Sequence, residues 1–180
     1  MRHTISILCD DTPGDMTRVS GLFSRRGFNI ESLSVGHTEV PGKSRFTIVV
    51  KGDDGTLEQV RKQLQKLVHV IRVWDIRQSE AVEREHALVK IRVTPELRGE
   101  LTQIVSAVQA RIVDSSGDLW IVEVTGDTAS VDTAFNLLSR FDIVESIRTG
   151  KIALERDGSD RQRGSRDDQV RRGRAASAAG

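Results

Sequence analysis

Few side chains in this sequence are of a kind and spacing that could do chemistry. The four histidines, His3, His37, His69 and His86, are scattered, with no HExxH and no paired spacing suited to a metal. Each reads as a strand-edge or surface residue. Cys9, the single cysteine, lies in an alternating apolar stretch and reads as a small buried hydrophobe, not a nucleophile. Asp10-Asp11 raises the idea of a carboxylate pair or a Mg2+ site. Adjacent strand residues point to opposite faces, however, so the two cannot share one proton or one ion. The Gly-x-Ser-x-Gly elbow, the P-loop and GxGxxG are all missing.

One segment does have the makings of a site. In Asp11-Thr12-Pro13-Gly14-Asp15-Met16 a strand runs into a helix, with Thr12 expected as N-cap, Pro13 at the first helical position and Asp15 in the first turn. A helix start presents unpaired N–H groups and partial positive charge, which suit a carboxylate. Gly14, lacking a Cβ, lets a ligand approach that backbone. Asp11 or the side-chain oxygen of Asn29 can accept hydrogen bonds from an ammonium group. Ile30, Leu33 and Val35 offer an apolar wall. The combination fits a free amino acid; the bland alternative is a plain capped turn.

The elements that must position this turn recur twice. Ile5, Ile7 and Cys9 alternate as a strand, and Met16, Val19, Leu22 and Phe23 give the following helix one apolar face, with Gly27 as its stop. Strands are expected at Asn29–Thr38 and Ser44–Lys51, turning at Val40-Pro41-Gly42. A helix capped by Asp53 or Asp54 follows, then a strand at Val68–Ile76. The order β-α-β-β-α-β returns from Val89 onward, with Thr94-Pro95 repeating Thr12-Pro13. A shift of 82 puts Val19 on Leu101, Leu22 on Ile104 and Phe23 on Val105; past the hairpin a shift of 74 puts Val60 on Ala134 and Leu64 on Leu138. Two ferredoxin-like units of α+β class are expected, residues 1–78 and 84–153, joined by the polar stretch Gln78–Glu85. At the position of Gly14 the second unit has Glu96, whose charge would repel a carboxylate. The ligand is therefore expected in the first unit, and protein contact or dimer support in the second.

Ile5–Leu8 and Phe46–Val50 are apolar on both parities, so a sheet face away from the helices needs cover, and a homodimer is the expected remedy. Residues 155–180 hold seven Arg, five acids, four Gly and three Ser with Val170 as the sole large aliphatic, and are expected to be a disordered tail. The net charge of +1 over 180 residues and aromatics at 4% speak against nucleic-acid binding. No apolar run approaches the roughly 20 residues of a membrane span, and no signal-peptide core opens the chain. A soluble, cytoplasmic protein is expected.

RHTISILCDDTPGDMTRVSGLFSRRGFNIESLSVGHTE, SRFTIVVKGDDGTLEQVRKQLQKLVHVIRV and VEREHALVKIRV together resemble the small regulatory subunits of acetohydroxyacid synthase (acetolactate synthase), over about residues 1–150. GLFSRRGFNIESL with the following TIVV strand is specific to that family, whereas the turn alone would indicate only an ACT domain, an amino-acid-sensing module. The resemblance implies an N-terminal ACT domain, a C-terminal domain of like topology and a dimer. It implies valine, or leucine or isoleucine, bound between two ACT domains. The turn with Gly14 would take the carboxylate, and Asn29 and Ile30 of the partner subunit would complete the site. This chain carries Asp11 where many members carry Asn. The resemblance implies no catalysis by this chain. Its large catalytic partner would hold thiamine diphosphate, Mg2+ and FAD and condense pyruvate with pyruvate or 2-oxobutyrate, while this subunit raises its activity and confers feedback inhibition. The rival readings are an ACT-domain sensor or repressor of another pathway, and an RNA-recognition module. The latter needs stacking aromatics on the first and third strands, where only Phe46 is found.

Overall fold

The alternating Ile5, Ile7 and Cys9 lie in strand β1 (Arg2–Asp10) of a computed structural model that describes residues 1–76 and 80–156. Helix α1 (Asp15–Arg26) follows, then the hairpin β2 (Ile30–His37) and β3 (Lys43–Lys51), helix α2 (Asp54–Leu64) and β4 (Val70–Ile76). The strands form one antiparallel sheet in the order β2-β3-β1-β4. Gly27 ends α1 with a left-handed φ of 69°, its N–H donating to the Phe23 and Ser24 carbonyls. Asp53 caps α2, accepting from the Thr56 N–H at 2.7 Å.

The second unit repeats this plan. Strand β5 (Ala81–Arg92) leads through a 3-10 turn at Pro95–Leu97 into α3 (Arg98–Ala107), followed by β6 (Arg111–Asp114) and β7 (Leu119–Gly126). Helix α4 (Thr128–Leu138), β8 (Asp142–Arg148) and a short β9 (Ile152–Glu155) complete it. The strand order is β6-β7-β5-β8, with β9 also paired to β5. The matched pairs Val19 and Leu101, Phe23 and Val105, Val60 and Ala134, Leu64 and Leu138 are buried in their respective cores. The chain is thus two ferredoxin-like βαββαβ units of α+β class, as the repeat predicts.

Three expectations change. The polar stretch 78–85 is not simply a linker, because Ala81–Arg84 form the first third of β5 and pair with β9. Glu83 and Glu85 are buried there, which hid the strand in a hydrophobicity pattern. Strand β5 thus starts three residues before the expected 84, and β9 runs two residues past the expected 153. Glu155, placed in the tail on composition, pairs with Ala81, and the Arg156 N–H donates to the Glu80 carbonyl at 2.7 Å. The remainder of the predicted tail, 157–180, lies outside the described residues.

The third change concerns the first sheet's helix-free face. By register it carries Thr4, Ser6 and Leu8, Thr47 and Val49, Trp74 and Ile76. Thr4, Ser6, Thr47, Val49 and Ile76 are buried within a single chain, without a second copy. The two-stranded ribbon of β5 and β9 lies here: Ile76, Ala81 and Ala153 share a small apolar cluster with Trp74, and the Thr4 hydroxyl donates to Glu83. Much of the cover expected from a partner comes from the chain's own C-terminal unit.

Candidate functional site

The turn between β1 and α1 differs in detail from the sequence expectation. Helix α1 begins at Asp15, not at Pro13, and its N-cap is Gly14 in the left-handed region at φ 90°. Capping runs backward. The Asp15 carboxylate accepts from the Thr12 N–H at 3.0 Å and from the Thr12 hydroxyl at 2.6 Å. A hydroxyl spent as donor toward Asp15 is turned away from the first-turn N–H groups, so Thr12 does not serve as N-cap. The positive φ is the reason a glycine stands here, since an L side chain costs about 1 kcal/mol or more in that conformation.

Asp15 is almost fully buried and held by three donors. Arg18 Nη1 lies 2.8 Å from its other oxygen. Burial alone pushes this carboxyl up, but the hydroxyl and N–H of Thr12 and the guanidinium of Arg18 together outweigh it and hold the group below its ordinary value. Arg18 was not singled out by the sequence reading, yet its guanidinium stands 3.6 Å from where a Cβ on Gly14 would be. The signal was available, because Gly14 and Arg18 are spaced i, i+4 on one helix face. An open groove of about 430 Å3 runs beside the turn, lined by Gly14, Thr17, Arg18, Arg25 and Leu67. It joins a left-handed backbone position to two guanidinium-bearing residues, a fitting environment for a small anion.

Around the turn, Asp11 lies 3.3 Å from His37 Nδ1 at the end of β2, and Asp10 pairs with Lys43 at the start of β3. Cys9 is buried and its Sγ is 3.6 Å from the Ser44 carbonyl. Burial first, then the negative charges of Asp15, Asp10 and Asp11, push its thiol up to about 11, which makes it inert at neutral pH.

The structure brings Asp11, Pro13, Gly14, Asp15 and Met16 together in one turn, with Met16 exposed. It does not bring Asn29 or Ile30 to that turn within one chain. His37 marks the turn's end of β2, and Ile30 stands seven strand positions away, roughly 23 Å at about 3.3 Å per residue. Ile30 and Leu33 are half-buried against the first core, and Val35 is exposed farther along the same face. Asn29 is exposed just before β2.

Comparison with known proteins sets this geometry in a family. The description "AHAS small subunit-like ACT domain" matches residues 5–72, and "Small subunit of acetolactate synthase" matches residues 84–157. The chain is 51% identical over 156 residues to a probable acetolactate synthase small subunit of Archaeoglobus fulgidus, covering 87% of this chain and 98% of that one. It is 44% identical to the acetolactate synthase small subunit of Mycobacterium leprae over 154 residues, 86% of this chain and 91% of that one. The crystal structure of the acetolactate synthase small subunit from Thermotoga maritima superposes with a TM-score of 0.83 at 43% identity, covering 88% of this chain and 99% of that one. Both units, their order and nearly the whole length of these relatives are matched, and the chain therefore belongs to the acetolactate synthase small-subunit family.

Proposed function

We propose that this chain is the regulatory subunit of an acetolactate synthase of branched-chain amino-acid synthesis. It binds a catalytic large subunit in the cytoplasm, raises its activity and makes it sensitive to valine, leucine or isoleucine. Thiamine diphosphate, Mg2+ and FAD belong to the large subunit. The observation that carries the reading is the Gly14 turn, where a left-handed glycine, a helix N-terminus and the Arg18 guanidinium converge beside an open groove. That combination suits the carboxylate of a free amino acid.

The placement of Asn29 and Ile30 at the far end of β2 supports a site shared by two copies. A two-fold pairing of first units would set the turn of one against the β2 start of the other, with the half-buried Ile30 and Leu33 as apolar floor. An effector lodged across such an interface binds one arrangement of the two copies better than another, as inhibition at a distance requires. The test is reconstitution with the catalytic subunit of the same source. Acetolactate formation should rise when this chain is added and fall as valine is titrated in. Activity unaffected by the chain, or a valine titration without effect at millimolar concentration, would overturn the respective half of the proposal.

A further inference from the structure

Strand β2 has two working faces. Leu33 and Val35 lie on one, while Ser32 and Ser34 lie on the other. The second face is occupied by a corner of the second unit. Between β8 and β9, residues Thr149-Gly150-Lys151 turn directly over the two serines. The Ser34 hydroxyl donates to the Thr149 carbonyl at 3.1 Å, and the Lys151 N–H approaches the Ser32 hydroxyl at 3.5 Å. Gly150 has φ 78°, and a Cβ built on it would lie 2.9 Å from the Ser32 Cβ. A Cβ there would require a local shift of the corner against Ser32.

The same corner is held firmly on its own side. The Thr149 N–H donates to the His86 carbonyl at 2.9 Å, and the Thr149 hydroxyl accepts from the His86 N–H at 3.2 Å. Lys151 Nζ pairs with the nearly buried Glu83 at 2.8 Å, and Glu83 in turn accepts from Thr4 of β1. Arg148, just before the corner, pairs with buried Glu85 and with Asp132. Open clefts flank the contact, about 470 Å3 on the side of Arg2, Glu31 and Asp132 and about 510 Å3 on the side of Val35, Arg84 and Ile152. A tight contact between two open clefts has the layout of a pivot. Next to it, β2 breaks its pairing register with β3 between Ile30 and Ser32, so the strand is already irregular where the corner sits.

We infer that the Thr149–Lys151 corner, seated on Ser32 and Ser34, is the contact through which the ligand state of the first unit reaches the second. This rests on the effector reading under Proposed function. A shift of β2 driven from its Ile30–Val35 face must also move Ser32 and Ser34. Packed contacts of this kind exchange one arrangement for another instead of deforming smoothly. Ser32, Ser34, Thr149 and Gly150 are thus positioning residues for regulation.

A reversible lock tests this. In the double variant Ser32→Cys, Gly150→Cys the two Cβ atoms start closer than the roughly 3.8 Å typical of a disulfide and need to part by only about 1 Å. Cys9 is buried and does not compete. The full chain, reconstituted with its catalytic subunit, is titrated with valine in oxidised and reduced form, and valine binding to the chain is followed by calorimetry. Oxidation should raise the half-inhibitory valine concentration at least tenfold while valine still binds, and dithiothreitol should restore it. Identical titrations of a cross-link proven by mass spectrometry, or no cross-link under oxidant, overturn the inference. Should the double variant fold poorly, Ser34→Ala is read instead. It should weaken inhibition two- to tenfold with valine binding retained, and an unchanged titration counts against the corner. A wild-type chain that binds no valine overturns the effector reading and this inference with it. A wild type that binds and is inhibited, but is indifferent to the lock, overturns the inference alone.

Discussion

The first helix of each unit follows the first strand by the same topology, but the two helix starts are built differently. In the first unit, Gly14 takes a left-handed φ and Asp15 folds back on Thr12. In the second, Thr94-Pro95-Glu96-Leu97 form a 3-10 turn that feeds α3, and the Leu97 N–H donates to the Thr94 carbonyl at 3.0 Å. The second helices, by contrast, start alike. Asp53 and Asp127 cap them at 2.7 and 2.8 Å, each after a glycine whose Cβ would strike Thr56 or Ser130 at 2.7 and 2.8 Å. Gly52 and Gly126 recur because the fold requires a close approach at that place. Gly14 does not recur, so the fold can be built without it. What is particular to the first unit is the left-handed turn itself, and the glycine follows from it.

The largest effects should come from the shared core. Leu64→Ala and Leu138→Ala, at matched and fully buried positions, should each cost about 2–5 kcal/mol in urea unfolding. Nearly equal losses are expected, and a much smaller loss in one unit would show that the two cores are not equivalently packed.

Next comes the difference between the turns. Gly14→Asp adds strain and a negative charge; like charges about 4 Å apart repel by about 4 kcal/mol at an effective dielectric of 20. Arg18 offsets part of this, so valine sensitivity in the reconstituted enzyme should fall about 10- to 100-fold, at about 1.4 kcal/mol per tenfold. Activation of the catalytic subunit should survive. Glu96→Gly in the second unit should leave the valine titration unchanged. Equal responses of the two variants would dissolve the contrast between the units.

A pH series sharpens the comparison. The Asp15 carboxyl is held below its ordinary 3.8, so its contribution to stability is complete above that pH and lost as pH falls through the lower folded value. The melting-temperature gap between wild type and Asp15→Asn should therefore be constant from pH 7 to about 5 and close below about 4. Glu96 is also held low, first by the Thr94 hydroxyl, but it is exposed, so Glu96→Gln should show a smaller gap. The smallest and most even effect is expected from the caps. Asp53→Ala and Asp127→Ala should lower the melting temperature slightly and alike, without changing the response to valine.

Much of this architecture was legible from local signals. Gly27 and Gly42, expected at a helix end and a hairpin turn, take positive φ at those places, and the two repeat offsets pair buried residues with buried or partly buried ones. Those signals are local because they depend on turn chemistry and periodicity. The helix start at Asp15 was not legible, since Thr12 can donate to Asp15 or accept from the helix and the sequence is the same for both. The ribbon was hidden because Glu83 and Glu85 occupy inward positions, and their partners Lys151 and Arg148 lie more than 60 residues away. Arg18 beside Gly14 could have been read from helical spacing. The Ser34 contact to Thr149, 115 residues apart, could not.

The ribbon over the first sheet also sets a timetable for synthesis. The first unit is complete in sequence at Ile76, but β9 ends at Glu155, roughly 80 residues later. At about 5–20 residues per second a ribosome needs about 4–16 s to make that stretch, and N-terminal units fold first. For those seconds a nascent chain carries a finished sheet whose Thr47, Val49 and Ile76 face water or a neighbouring chain. Among the described residues, the last strand to emerge helps close this surface, so translating the second unit is also a late step in maturing the first.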